Sequence, residues 1–353
     1  MKRSLLLPLL LTALALALSG CIGPGYYAES LNGHLNLMAA RKDVARLIAD
    51  PATPGALRGR MQTASAIRQF ASDELDLPDN ASYRSYVDLG RDYVTIAVFA
   101  APEFALAPLV KCFPVFGCVP YQAFFSLDTA RKTASGLRED GLDVHVSGVT
   151  AYSTLGFTAD PLLSTMFRDD DAYLAALIFH ELAHQRLYVK DDSAFNEAFA
   201  VAVETSGVRR WLRAADDGEG LRRYEAARAR NADFLSLIAQ AREELHAVYG
   251  GPGTASEKRA GKQAAIERLR QRHRQMRDTR WGGYDGYDAW FEAPINNAKL
   301  AATSVYNDLV PAFLRLFDLC GGDYPRFYTA VKRLGALDRS ERAQALEAAK
   351  ACE

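Results

Sequence analysis

Two histidines four residues apart, with a glutamate directly after the first, stand in the apolar run Ala175-Ala176-Leu177-Ile178-Phe179-His180-Glu181-Leu182-Ala183-His184-Gln185. On a helix, positions i and i+4 share a face one turn apart, so the imidazoles of His180 and His184 can converge on one metal ion. Glu181 lies one residue further round, where its carboxylate can take a proton from an attacking water without ligating the ion. This is the H-E-x-x-H pattern, whose ligand types and spacing suit zinc and hydrolysis. Without a bound cation, two imidazoles among Ala, Leu and Phe would be unpaired polar groups in an apolar setting.

A catalytic zinc takes three protein ligands and keeps a fourth position open. The extended form of the motif needs glycine at 187 and histidine at 190; the chain has Leu187 and Lys190 there and does not fit it. Downstream, Ser193 to Glu204 reads as a second helix capped by Ser193, with Glu197 in its first turns. Glu197 is the expected third ligand of one Zn2+. Glu204 and the loop acids Asp191 and Asp192 are alternatives. Glu204 shares a face with Glu197 and suits the role of orienting a histidine from behind, while an acid at position 197 would also complement a helix dipole without any metal.

These residues also carry a resemblance. His180-Glu181-Leu182-Ala183-His184-Gln185 followed by Asn196-Glu197-Ala198-Phe199-Ala200 looks like the gluzincin pattern of membrane alanyl aminopeptidase-type enzymes, which pair H-E-x-x-H-Q with N-E-G-F-A. The linker from the second histidine to the glutamate is several residues shorter here, and the G-A-M-E-N exopeptidase motif is missing. A closer resemblance, running through most of the mature chain, is to a family of bacterial lipoproteins classed as aminopeptidases. It rests on Cys112-Phe113-Pro114, Gly117-Cys118-Val119-Pro120-Tyr121, Ala151-Tyr152-Ser153-Thr154-Leu155-Gly156, Asp160-Pro161-Leu162-Leu163-Ser164-Thr165, the metal helix and Phe195-Asn196-Glu197. The resemblance implies a zinc-dependent peptidase acting on peptides, with a preference for their amino termini.

The elements needed to position such a site can be read along the 353 residues. Met1-Lys2-Arg3, an uncharged run and Leu18-Ser19-Gly20-Cys21 form a secretory signal, too short and abruptly ended for a membrane span. It resembles the bacterial lipoprotein signal, which implies cleavage before Cys21, acylation of that residue, and an anchored mature protein. With Ile22 next and no aspartate there, attachment to the outer membrane facing the periplasm is expected. Cys112, Cys118, Cys320 and Cys352 then sit in an oxidising compartment, and their even number favours disulfides. Loop geometry and proximity favour Cys112–Cys118 and Cys320–Cys352 among three pairings.

Residues 21–28 read as a tether and 29–353 as one unit, dividing near residue 190 into a part with the metal helix and a mainly helical part with Glu197. Helical spacing predicts two antiparallel helices over 29–49 and 55–75. Tyr83–Val87 and Tyr93–Phe99 read as strand-turn-strand, Leu127–Leu137 as a helix capped by Ser126, and Leu142–Val149 as a strand. Ala151-Tyr152-Ser153-Thr154 stands where a sheet edge would align a substrate backbone. Residues 201–280 predict a charged, solvated helical hairpin framing the cleft, on which His246 and His273 are expected at the surface. His34 reads as an ordinary structural or exposed histidine. Trp281–Phe291 is an aromatic and glycine-rich loop of the kind that lines ligand clefts, and Leu300–Phe317 is helical. Tyr152 and Tyr306 are the candidates for hydrogen-bonding the developing oxyanion.

The expected fold class is α+β, predominantly α: a zincin-like metallopeptidase with a small mixed sheet on the active-site helix and a helical C-terminal part. A net charge of −1 and the lack of a basic patch exclude a nucleic-acid partner. Zinc endopeptidase action on envelope proteins and non-catalytic partner binding are the rival functions, and oligomeric state is not legible.

Overall fold

The computed structural model describes residues 23–113, 117–167, 170–304 and 309–352. The fold is mostly helical with small mixed sheets, an α+β arrangement dominated by α. Helix α1 (Pro24–Ala39) starts at Pro24, inside the stretch expected to be a tether; proline suits a first helical position because that N–H has no intrahelical partner. The single helix expected over 29–49 is broken. After α1 comes a two-residue strand, and Asp43 then caps the separate helix α2 (Val44–Ala49) by accepting a hydrogen bond from Arg46 N at 2.8 Å. Helix α3 (Gly55–Leu75) has the predicted bounds.

The strands are β1 (Lys42–Asp43), β2 (Ser85–Val87), β3 (Thr95–Pro102), β4 (Lys111–Phe113), β5 (Gly117–Val119), β6 (Gln122–Phe124), β7 (Leu142–Val149) and β8 (Leu162–Leu163). The predicted β2-turn-β3 unit does not pair with itself. β2 lies antiparallel to β1 and parallel to β8, whereas β3 is the centre of a second sheet, antiparallel to both β6 and β7. Alternation alone cannot reveal this, because β3 is buried almost throughout and therefore needs a partner on each side. Helix α4 (Leu127–Glu139) packs on that sheet, capped by Ser126, whose hydroxyl accepts from Thr129 N. β4 and β5 form a hairpin closed by the Cys112–Cys118 disulfide.

The remaining helices are α5 (Asp171–Arg186), α6 (Ser193–Ala214), α7 (Gly218–Gly250), α8 (Ala255–Thr279), α9 (Asp288–Glu292), α10 (Asn297–Ser304), α11 (Val310–Leu319), α12 (Tyr324–Gly335) and α13 (Arg339–Ala348). The main core is shared by α3, α5, α6, α11 and α12 through residues such as Met61, Ile67, Phe179, Phe199, Phe313 and Phe327. Gly207 permits a close approach in it: a Cβ there would stand 2.8 Å from Leu75 Cδ1 and 2.9 Å from Phe179 Cδ2. A Cys320–Cys352 disulfide ties the end of α11 to the residues after α13.

The α7–α8 hairpin forms as its charge pattern predicts, but it has a core of its own. Trp281 and Phe291, expected to line a cleft, are buried there beside Ile238 and Leu269. His273 is likewise not at the surface: its ring stacks on Phe291 with centroids 3.8 Å apart and is 3% exposed. Helical spacing from Leu269 puts His273 on the hairpin's inner side, which the charge count concealed. No helix among the described residues is long and apolar enough to cross a membrane.

Candidate active site

Asp170 starts α5 by accepting a hydrogen bond from Tyr173 N, and Ala175, Ile178, Phe179 and Leu182 then fix its rotation by their complete burial. The remaining face carries His180 and His184, whose rings meet edge to face with centroids 4.8 Å apart. Their Nε2 atoms approach to 3.2 Å.

Helix α6 supplies the carboxylate opposite. Its cap is Asp192 rather than Ser193: the Asp192 side chain accepts from Phe195 N and is paired with the buried Arg342 guanidinium. Asn196 then staples the α5–α6 connection, accepting from Val189 N at 2.8 Å and donating to Val189 O at 2.7 Å. Glu197, the next residue, stands with Oε2 3.3 Å from His180 Nε2 and Oε1 3.6 Å from His184 Nε2. Two turns further along, Glu204 Oε2 accepts a hydrogen bond from His180 Nδ1 at 3.2 Å.

The three groups His180, His184 and Glu197 can hold a metal ion, with their ligand atoms all within 4.8 Å of one another. Donor chemistry supports the fit. With its Nδ1 directed to Glu204, His180 turns Nε2 toward the Nε2 of His184, and the Glu197 carboxylate faces both. Such a convergence of ring nitrogens and negative charge calls for a cation. Edges of 3.2, 3.3 and 3.6 Å bracket the roughly 3.3–3.4 Å that two ligands about 2.0–2.1 Å from a tetrahedral zinc would span. Electrostatics agree. Burial opposes a charge on His180, yet Glu197, Glu204 and Glu181 outweigh it and lift its pKa well above the usual histidine value. Burial likewise opposes ionisation of Glu197, but the two imidazoles hold it far below the carboxylate range.

The walls come from residues that sequence reasoning missed. Gln185, directly after the second histidine, accepts from Asn80 Nδ2 at 2.7 Å and donates to Ser82 Oγ at 3.4 Å. That loop is held by the buried Arg68, which donates to the carbonyls of Ser82, Pro78 and Asn80. At its end Tyr83 adopts φ +62°, a left-handed conformation rarely taken by a tyrosine, with its ring buried. Burial, then the Glu181 and Asp160 carboxylates, push its pKa well above the ordinary tyrosine value, so Tyr83 lies in the field of Glu181. Tyr121, which follows the disulfide hairpin, is pushed up to about 12 by burial and by the carboxylates of Glu197 and Glu181. The motif around Cys118 could have drawn attention to Tyr121; nothing in a sequence announces a left-handed Tyr83.

Other expected residues lie elsewhere. Ala151–Thr154 is not a strand: Thr154 N and Oγ1 donate to the buried Asp160, turning the chain instead of extending it. Tyr152 directs its hydroxyl to His34 Nδ1 at 3.2 Å and packs on Phe125. Asp191 is exposed at φ +62°, and Asp192 is occupied by Arg342. Tyr306 and Cys21 lie outside the described residues.

A protein-family model described as "putative aminopeptidase" matches residues 25–346. The chain belongs to that family. The matched span runs from α1 into α13, so the family's peptidase character and the three metal-capable side chains belong to the same unit of sequence. No curated protein and no solved structure matches the chain.

Proposed function

We propose that this member of the aminopeptidase family is a zinc-dependent aminopeptidase of the bacterial cell envelope, tethered through Cys21 and acting on peptides in the periplasm. The observation that carries the reading is the meeting of His180 Nε2, His184 Nε2 and the Glu197 carboxylate across 3.2–3.6 Å, with Glu181 following the first of them. Zn2+, when bound, supplies Lewis acidity toward the scissile carbonyl and lowers the pKa of water to about 7.

In this reading Glu181 accepts the proton of the attacking water and passes it to the departing amine. Glu204 keeps His180 in the tautomer whose Nε2 is free to ligate. Tyr121, in the field of both Glu197 and Glu181, is better placed than Tyr152 to donate a hydrogen bond to the developing oxyanion. Three carboxylates gathered around one divalent ion leave a net negative charge, which suits the free ammonium of a peptide amino terminus.

A zinc endopeptidase is the second reading, favoured by one specific observation. Two acids available for ammonium recognition are already committed, Asp192 to Arg342 and Glu204 to His180. Metal analysis of the purified protein, with digestion of free and N-blocked peptides by wild type and Glu181→Gln, tests both. The expected result is one zinc in each protein, cleavage of free peptides by wild type, and a loss of at least about two orders of magnitude in Glu181→Gln. Cleavage of blocked peptides at equal rates would select the endopeptidase; undiminished activity of Glu181→Gln would remove the proposed mechanism.

A further inference from the structure

Helix α1 shows solvent an apolar stripe. Tyr27, Leu31 and Leu35 are 38%, 60% and 55% exposed and follow one another at i, i+4 and i+8, which puts them along one side of the helix. The opposite side is firmly seated. Tyr26 packs edge to face on Phe124, Leu37 is buried, Gly33 lies directly against Phe125, and His34 meets Tyr152. The helix's one charged side chain, Glu29, accepts a hydrogen bond from Ser126 N, and Leu127, beside that contact, is a further exposed apolar residue at 44%. A stripe without charge on a rigidly docked helix is a surface for something apolar.

The chain outside the described residues indicates what covers it. Description begins at Gly23, and the lipobox cysteine Cys21 stands three residues before Pro24. Two intervening residues span at most about 7 Å, so acyl chains on Cys21 would keep the start of α1 within roughly 10 Å of the headgroups. A helix held that close to a bilayer can lie in the interface plane with its apolar side at the boundary of headgroups and acyl chains.

We propose that α1 lies along the bilayer surface with Tyr27, Leu31 and Leu35 seated at the boundary of headgroups and acyl chains, so that the protein docks in one fixed orientation. This rests on the reading of Cys21 as the acylated residue. The helix carries no lysine or arginine, so seating is apolar and does not depend on anionic lipid.

The test uses the mature lipoprotein with Leu31→Cys carrying a bimane label, in vesicles of phosphatidylethanolamine with and without phosphatidylglycerol. A label at the exposed Asp216 serves as control, and mass spectrometry monitors the acyl group. The expected result is a blue shift and quenching by shallow doxyl lipids at position 31 alone, equal in both vesicle types. A label that stays in water while the acyl mass is present overturns the proposal and leaves the anchor standing; an absent acyl mass overturns both. Unacylated Cys21→Ser protein whose label becomes buried with rising protein concentration, without vesicles, would assign the stripe to a second copy of the chain and also overturn it.

Discussion

His180 Nδ1 donates a hydrogen bond to Glu204 at 3.2 Å, joining α5 to α6 behind the ring edge turned toward Glu197. Because the carboxylate fixes both ring orientation and tautomer, its removal should be felt at the metal. Glu204→Ala is expected to weaken zinc binding by about 10–100-fold with the fold intact. Competition against a chelator, with circular dichroism as the fold control, measures this; an unchanged affinity would leave Glu204 with no role in orienting the ligand.

Tyr121→Phe removes one hydroxyl and keeps the ring that packs against Phe99. If that hydroxyl donates to the developing oxyanion, kcat falls by about a hundredfold while zinc content and thermal stability hold. Tyr152→Phe, which loses only the contact with His34, should change kcat little. Equal effects in the two variants would contradict the assignment.

Gly207 sets the distance between α6 and the metal helix. A Cβ there meets Leu75 and Phe179 inside normal contact, an overpacking cost of roughly 1–3 kcal/mol. Alanine recovers up to about 1 kcal/mol of helix propensity, so valine is the sharper probe. Gly207→Val should lower the unfolding free energy by about 1–3 kcal/mol, read from denaturant titration. It should also weaken zinc binding, since Glu197 and Glu204 ride on the displaced helix.

His145 on β7 has its pKa lowered from about 6.5 to about 4, first by burial and then by the charge of Lys299. Between those values the unfolded chain binds a proton that the folded chain refuses, so stability is lost as pH falls through that window. His145→Gln should make this acid-side loss shallower by close to one proton, visible as a smaller fall in Tm from pH 7 to 4. A parallel pair of curves would show that the imidazole is protonated in the fold.

Much of the candidate site was legible because its signals are local. The i, i+4 histidines sit on one helix, and Glu197 follows on the next. What was not legible is long-range. β2 and β3 look alike in sequence but join different sheets, since partners as distant as β8 and β7 decide the pairing. The spacing around Thr154 suits an extended strand, yet its hydrogen bonds to Asp160 turn the chain. Asp192 outcompetes Ser193 as cap because a buried arginine 150 residues later holds it in place. Trp281 and His273 are buried for the converse reason: a hairpin rich in charge can still bury a core along its seam.

Arg68 is the feature with the widest reach. Its guanidinium is 1% exposed and touches neither histidine, yet the carbonyls it gathers shape the loop bearing Asn80 and Tyr83. A random screen for inactive variants would therefore return substitutions over a hundred residues upstream of the metal helix. Ranked by lost turnover alone, they would pass for chemistry, although the defect is architectural.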